Sequence, residues 1–344
     1  MWELQPAVKS GGGDADRRRA RRSLCRRIGW LAMALLLSSV GTAGRALALE
    51  AIEVVGRAVP LDYTDPAATR LGRLDYRSGL SLTSSNTHFG GFSGLRVAAD
   101  CSSFLAVSDV GWLAGGRLIF DAEDRLTGVA DATITALRNT DGEPFRRKSD
   151  ADAEALARDG AGGLIVAFEH RHRLWRYADP EALPEPLQPP PEMLTLPLNN
   201  GIEAATVLND GRLLLIAEGS DGEESARGWV GRSGEWSALT LAVDGSFRPT
   251  DATTLPGGDI LLLERRYPPI GARILRIPAA AVRPGAEIDG EELIRLEGAH
   301  PVDNFEGIDV CWRGDGRALV LIISDDNFSA LQRTLLLAFA LPPH

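Results

Sequence analysis

The sequence predicts an all-β fold, a six-bladed β-propeller whose ring is closed by strands from both termini. Three observations predict it. A unit of two paired apolar strands recurs five times, turn dipeptides separate the two strands in four of those units, and no long stretch carries a helical apolar period.

The units align as follows. Phe92-Ser93-Gly94-Leu95 precedes Phe104 to Asp109, and Asp152-Ala153-Glu154-Ala155 precedes Leu164 to Glu169. Ile202-Glu203-Ala204-Ala205 precedes Leu213 to Glu218, and Thr250-Asp251-Ala252-Thr253 precedes Ile260 to Glu264. Phe305-Glu306-Gly307-Ile308 precedes Leu319 to Asp325. Each unit runs from a polar anchor through a small residue and a short strand to a turn, then a more apolar strand ending in an acid. The turns are Asp159-Gly160, Asp210-Gly211, Gly258-Asp259 and Asp315-Gly316, a chemistry that suits a hairpin because such turns need positive φ. The anchors lie about 50 to 60 residues apart, enough for four short strands. Residues 49–344 then hold six such lengths, and the sixth blade is expected to combine residues 49–90 with Thr334 to Leu341, removing free sheet edges. The segment Pro184 to Pro191 reads as a loop between blades.

Residues 1–48 have the layout of an export signal. Arginines between Arg17 and Arg27 make a basic start, Ile28 to Val40 is apolar, and Ala46-Leu47-Ala48 resembles a cleavage site. The apolar run is short for a membrane span. Its removal takes nine basic and three acidic residues, moving the net charge from −10 to −16. Such a domain, residues 49–344, is expected in the periplasm or secreted, as a monomer. It should repel nucleic acid and anionic lipid headgroups, with no stable membrane association after cleavage. Cys101 and Cys311 remain, either as a disulfide or as two buried thiols.

Hairpin geometry sets the start of one strand beside the end of the next. It pairs Glu154 with Glu169, Glu203 with Glu218, Asp251 with Glu264, Glu306 with Asp325, and Ser93 with Asp109. Rotation about the channel then gathers these pairs at one rim. Two ionised carboxylates about 5 Å apart cost roughly 3 kcal/mol at an effective dielectric near 20. A divalent cation such as calcium, the nearby Arg171, Arg265 and Arg266, or raised carboxyl pKa values would each offset this. Such acids can equally serve the architecture, accepting hydrogen bonds from the next blade. His170 and His172 fit acid–base or phosphate roles or a solvated strand extension, and His88 and His300 are further loop candidates. There is no G-x-S-x-G elbow, H-E-x-x-H, C-x-x-C or P-loop, which argues against serine hydrolase, zinc protease and kinase chemistry.

Several stretches together resemble the phytase-like family known for "esterase-like activity of phytase". They are Phe92-Ser93-Gly94-Leu95, Val107 to Trp112, Asp152 to Ala155 with Phe168-Glu169, Arg248 to Asp251, Leu263 to Arg266, Asp303 to Gly307, Ser324 to Phe328 and Gln332 to Thr334. The resemblance implies an exported propeller and ester or phosphoester hydrolysis. Propeller phytases bind several calcium ions and carry an acidic segment ending Asp-Pro-Ala-Ile-Trp, whereas this chain has Asp65-Pro66-Ala67-Ala68-Thr69.

The leading expectation is a calcium-assisted hydrolase of a small phosphoester or carboxylic ester. Glu154, Glu203 and Glu306 would hold the ion with Asp325, while Asp109 and Glu264 stand nearby and Arg265 meets developing negative charge. A non-catalytic propeller binding a sugar, peptide or envelope protein is the alternative, and a calcium-dependent lactonase a further one.

Overall fold

A computed structural model describes residues 49–342 apart from 221 and 315. The expected signal segment, residues 1–48, lies outside the described residues. Strands dominate, and they form five sheets in a β-propeller arrangement, antiparallel except where Glu287–Ile288 pairs in parallel with Glu235–Ala242 at the edge of the third. Among the described residues no helix is long and apolar enough to cross a membrane.

Each sheet begins, at its inner edge, with the strand that carries a sequence anchor. These innermost strands are Phe92–Val97, Ala153–Arg158, Ile202–Val207, Phe247–Thr254 and Asn304–Trp312. Each pairs with the apolar strand that follows it: Ser103–Ser108, Leu164–Phe168, Leu213–Ala217, Ile260–Arg266 or Ala318–Asp325. Three of the turn glycines play the role their sequence suggested, with φ of 80° at Gly211, 93° at Gly258 and 81° at Gly316, angles that residues with a Cβ rarely adopt; in the second unit the positive φ falls on Gly162 rather than Gly160.

The expected six-bladed ring is corrected to five sheets. Residues 49–90 hold no inner hairpin. Their strands Val54–Ala58 and Leu74–Ser84 instead complete the fifth sheet, where Leu74–Ser84 pairs with Thr334–Leu341, itself paired with Ala318–Asp325. The missing sixth anchor therefore has a simple cause: both termini supply the outer half of a blade whose inner half is the anchor unit at Glu306. No ladder joins one sheet to the next among the described residues, so no hydrogen-bonded ring closes. The proline-rich segment also departs from the expected loop, since Glu185–Leu187 pairs as the outer strand of the second sheet.

Apolar side chains fill the spaces between neighbouring sheets. Phe168, Leu156 and Tyr177 pack with Val107 and Leu113 between the first and second, and Leu95, Phe104 and Leu321 pack between the first and fifth. The innermost strands approach closely, which explains the small residue after each anchor. A Cβ on Gly94 would lie 2.8 Å from that of Leu156, and one on Gly307 2.8 Å from that of Leu95. Cys101 and Cys311 form a disulfide that ties the first sheet to the fifth across a sequence separation of 210.

Candidate functional site

All five innermost strands carry one extra residue relative to their partners, a β-bulge, and always at the same place. The unpaired residues are Ser93, Glu154, Glu203, Thr250 and Glu306. A bulge turns its side chain out of the ladder, a device common at rims and beside active sites. The residues facing each strand two positions before its bulge are Asp109, Glu169, Glu218, Arg265 and Asp325.

This register shifts the fourth unit by one residue from the expected alignment. Its bulge is Thr250 rather than Asp251, and its strand-end residue is Arg265 rather than Glu264. One step along a strand reverses the face, so Asp251 and Glu264 leave the rim. Glu264 is fully buried in an ion pair with Arg273, and its charged surroundings are Arg273, Asp244 and Asp289. Burial pushes its carboxyl up, against the pull of Arg273.

Asp251 takes part in a second construction, on the channel axis. Its carboxylate accepts two bonds from Arg96, at 2.9 and 3.0 Å, and backbone N–H bonds from Ile308 and Ala252. The Arg96 guanidinium also donates to the carbonyls of Leu95, Leu156, Ala205, Ala252 and Ile308, one from each innermost strand. A single buried side chain thus touches all five blades and plugs the channel beneath the bulges.

Above that plug the acids converge. Arg265 lies between Glu306, with Nε to Oε1 at 2.9 Å, and Glu218, with Nη2 to Oε1 at 3.4 Å. Glu154 and Glu203 receive no hydrogen bond from the described residues. Burial pushes both carboxyls well above the ordinary range. Glu203, Asp152, Glu169 and Glu306 add to this at Glu154, while Glu218, Glu306 and Glu169 add at Glu203 and Arg265 partly relieves it. Burial raises Glu306 to about 7 despite Arg265, and Asp325 to about 8 despite an N–H bond of 2.6 Å from Asn327. Glu169 rises to about 7, chiefly through burial, although it accepts the Gly201 N–H at 2.9 Å. Asp109 is raised by burial and held down by Lys148, whose Nζ lies 2.8 Å away.

The expected pairing of each anchor with a strand-end acid therefore becomes one shared field of charge, from which only the fourth-sheet pair is missing. A tighter group than the expected quartet exists within it. Asp152, Glu169 and His170 each place a donor atom within 4.8 Å of the others, the one such trio among the described residues. His170 Nδ1 stands 2.5 Å from Asp152, and His170 adopts a φ of 53°. Lys148 Nζ, on a single helical turn over Lys148–Ala151, approaches the other Asp152 oxygen at 2.6 Å. Sequence reading overlooked Lys148 and the ligating potential of Asp152. The available signal was that Asp152 stands two residues before an anchor. His172 is buried against the carbonyls of Leu196 and Pro197, His88 stacks on Trp112 at 3.9 Å, and His300 accepts a bond from Glu297 N–H.

The trio has the donor spacing for a cation, and its imidazole suits a transition ion. Glu154, Glu203 and Glu306 offer the all-oxygen chemistry that suits a hard ion such as calcium, but as they stand their carboxylates do not share that spacing.

A family model described as "Phytase-like: Esterase-like activity of phytase" matches residues 87–328. The chain belongs to this phytase-like family. The match spans all five bulges and their strand-end partners. No curated protein matches the phytase-like chain. Similar solved structures include a gluconolactonase from Xanthomonas campestris, 11% identical, covering 86% of this chain and 98% of that one at a TM-score of 0.39. A luciferin-regenerating enzyme is 9% identical over 73% of this chain and 92% of its own, with a TM-score of 0.42. An inactive variant of virginiamycin B lyase from Staphylococcus aureus is 11% identical over 79% and 85%, with a TM-score of 0.37. Likeness at this level says nothing about activity.

Proposed function

We propose that this phytase-like propeller is a cation-assisted hydrolase of a small phosphoester or carboxylic ester, acting in the periplasm or after secretion. One observation carries the reading. Glu203, buried, and Glu154, half-buried, stand on equivalent bulges and receive no hydrogen bond among the described residues, at the open side of a channel whose other side is plugged by Arg96. Buried carboxylates in this state gain from a bound cation, because it removes both their desolvation cost and their mutual repulsion.

Glu154, Glu203 and Glu306 would hold calcium, with Asp325 beside Glu306. The ion would supply polarisation of the ester oxygen and a more acidic bound water. Arg265, shared between Glu306 and Glu218, places a positive charge at the same mouth, where developing negative charge would meet it. Asp109, held by Lys148, is the candidate proton acceptor of the first sheet. The Cys101–Cys311 disulfide supports an oxidising compartment.

The test is a panel of p-nitrophenyl esters, p-nitrophenyl phosphate and lactones, with and without chelator. Turnover of one class should vanish on chelation, return with calcium and fall at least tenfold in Glu203→Gln. Turnover indifferent to both treatments would remove the cation from the reading. A silent panel with an unchanged melting temperature would favour the non-catalytic binding module.

A further inference from the structure

A second concave feature lies off the axis, between residues 139–150 and the third strand of the second sheet, Arg173–Tyr177. It is a cleft of about 540 Å³ whose wall includes Phe145, Arg146, Arg147, Arg171, Arg173 and Trp175. Four guanidinium groups in one cleft need a reason in a chain of net charge −10.

Arg173 is the centre of this group. Its guanidinium carbon sits 3.8 Å from the Phe168 ring centroid, 4.5 Å from that of Trp175 and 5.5 Å from that of Phe145. Phe145 and Trp175 stack on each other at 5.9 Å, which fixes the aromatic floor. Arg173 donates to the backbone carbonyls of Arg171 and Asp150 and pairs with no carboxylate among the described residues. Burial pulls its pKa down to about 10, a measure of how poorly the charge is solvated there. Arg96 and Arg273, more deeply buried, are matched differently, by Asp251 and Glu264.

The cleft's remaining cations leave it short of counter-charge. Arg171 is occupied by Asp150 at 3.1 Å. Arg146 and Arg147 are exposed and form no ion pair among the described residues. The acids Asp141 and Glu143 also line the cleft, yet neither forms an ion pair with any of these arginines. Each Nη of Arg173 donates one bond to a carbonyl, and the remaining N–H groups of this guanidinium, held by ring stacking, are left for a planar or tetrahedral oxyanion beside the exposed Arg146 and Arg147.

We propose that this cleft is a binding site for a small oxyanion, a carboxylate or a phosphate group, held between Arg173 on the aromatic floor and the exposed charges of Arg146 and Arg147. The site does not depend on hydrolysis at the channel mouth. Where that activity holds, the cleft offers a place for the charged end of a ligand.

Titration calorimetry on the full chelated protein, with inorganic phosphate and separately with benzoate, tests this. At least one anion should bind saturably at one site per chain, and Arg146→Ala/Arg147→Ala should weaken it at least tenfold. These two residues are exposed and form no ion pair among the described residues, so the variant keeps its fold. The tighter anion identifies the group recognised. Glu203→Gln should leave binding unchanged. Absence of saturable binding for both anions, equal affinity in the double variant, or loss of binding in Glu203→Gln would each overturn the proposal.

Discussion

Replacing Arg96 by methionine tests the axial plug directly. The change removes a buried guanidinium that reaches Asp251 at 2.9 and 3.0 Å, and Asp251 is itself fully buried. Asp251 would keep only the N–H bonds from Ile308 and Ala252. Breaking a buried pair from one side costs about 3–5 kcal/mol, and carbonyls released from five strands push towards the upper end. Domains have only about 5–15 kcal/mol in total, so the loss is a large fraction. Guanidinium unfolding followed by tryptophan fluorescence would measure it. Adding Asp251→Asn to Arg96→Met should recover at least about 1.5 kcal/mol, because the stranded charge is then gone while an acceptor for Ile308 N–H remains. Arg96→Lys should fall between, since an ammonium keeps the charge but lacks the planar fork. A loss under about 1 kcal/mol in Arg96→Met, or no recovery in the double variant, would refute the idea that one side chain pins the five blades.

Three further outcomes follow from the same geometry. Cys101→Ala/Cys311→Ala should cost about 3–5 kcal/mol by denaturant unfolding, because the crosslink spans 210 residues and its loss frees the unfolded chain. Calcium added to chelated protein should stabilise it by about 2.7 kcal/mol at a hundredfold excess over its dissociation constant, read as a raised melting temperature that Glu203→Gln diminishes. Arg265→Met should destabilise the chelated protein more at pH 8 than at pH 4. Glu306 titrates at about 7 in the fold, above its ordinary 4.5, so its favourable contribution is full below pH 4.5 and lost as pH rises through 7. Without Arg265 its carboxyl rises further, which deepens the loss at high pH. Equal destabilisation at both pH values would show that Arg265 acts through packing alone.

Much of the site was legible because local rules create it. Glu154, Glu203 and Glu306 each precede a small residue and an apolar strand, and the structure places all three on equivalent bulges. The fourth unit misled for an equally local reason. Asp251 and Glu264 matched the acids of the other units by residue type, whereas Thr250 and Arg265 match them by register. A strand alternates faces every residue, so one unpaired residue decides whether a carboxylate looks into the mouth or into the sheet. The trio of Asp152, Glu169 and His170 was hidden because Asp152 and His170 meet across a hairpin at the end of its ladder.

Alternating apolar strands and their turn residues, read from the chain alone, suffice for an all-β repeat protein with acids at recurring strand ends, because side-chain period and turn chemistry act over a few neighbours. Blade count, the Arg96 plug and the arginine cleft emerge only in three dimensions. Arg96 meets Ile308 from 212 positions away, and both termini meet in one sheet. Contacts at such separations depend on which sheet packs beside which, a property of the closed arrangement of surfaces that no short segment encodes.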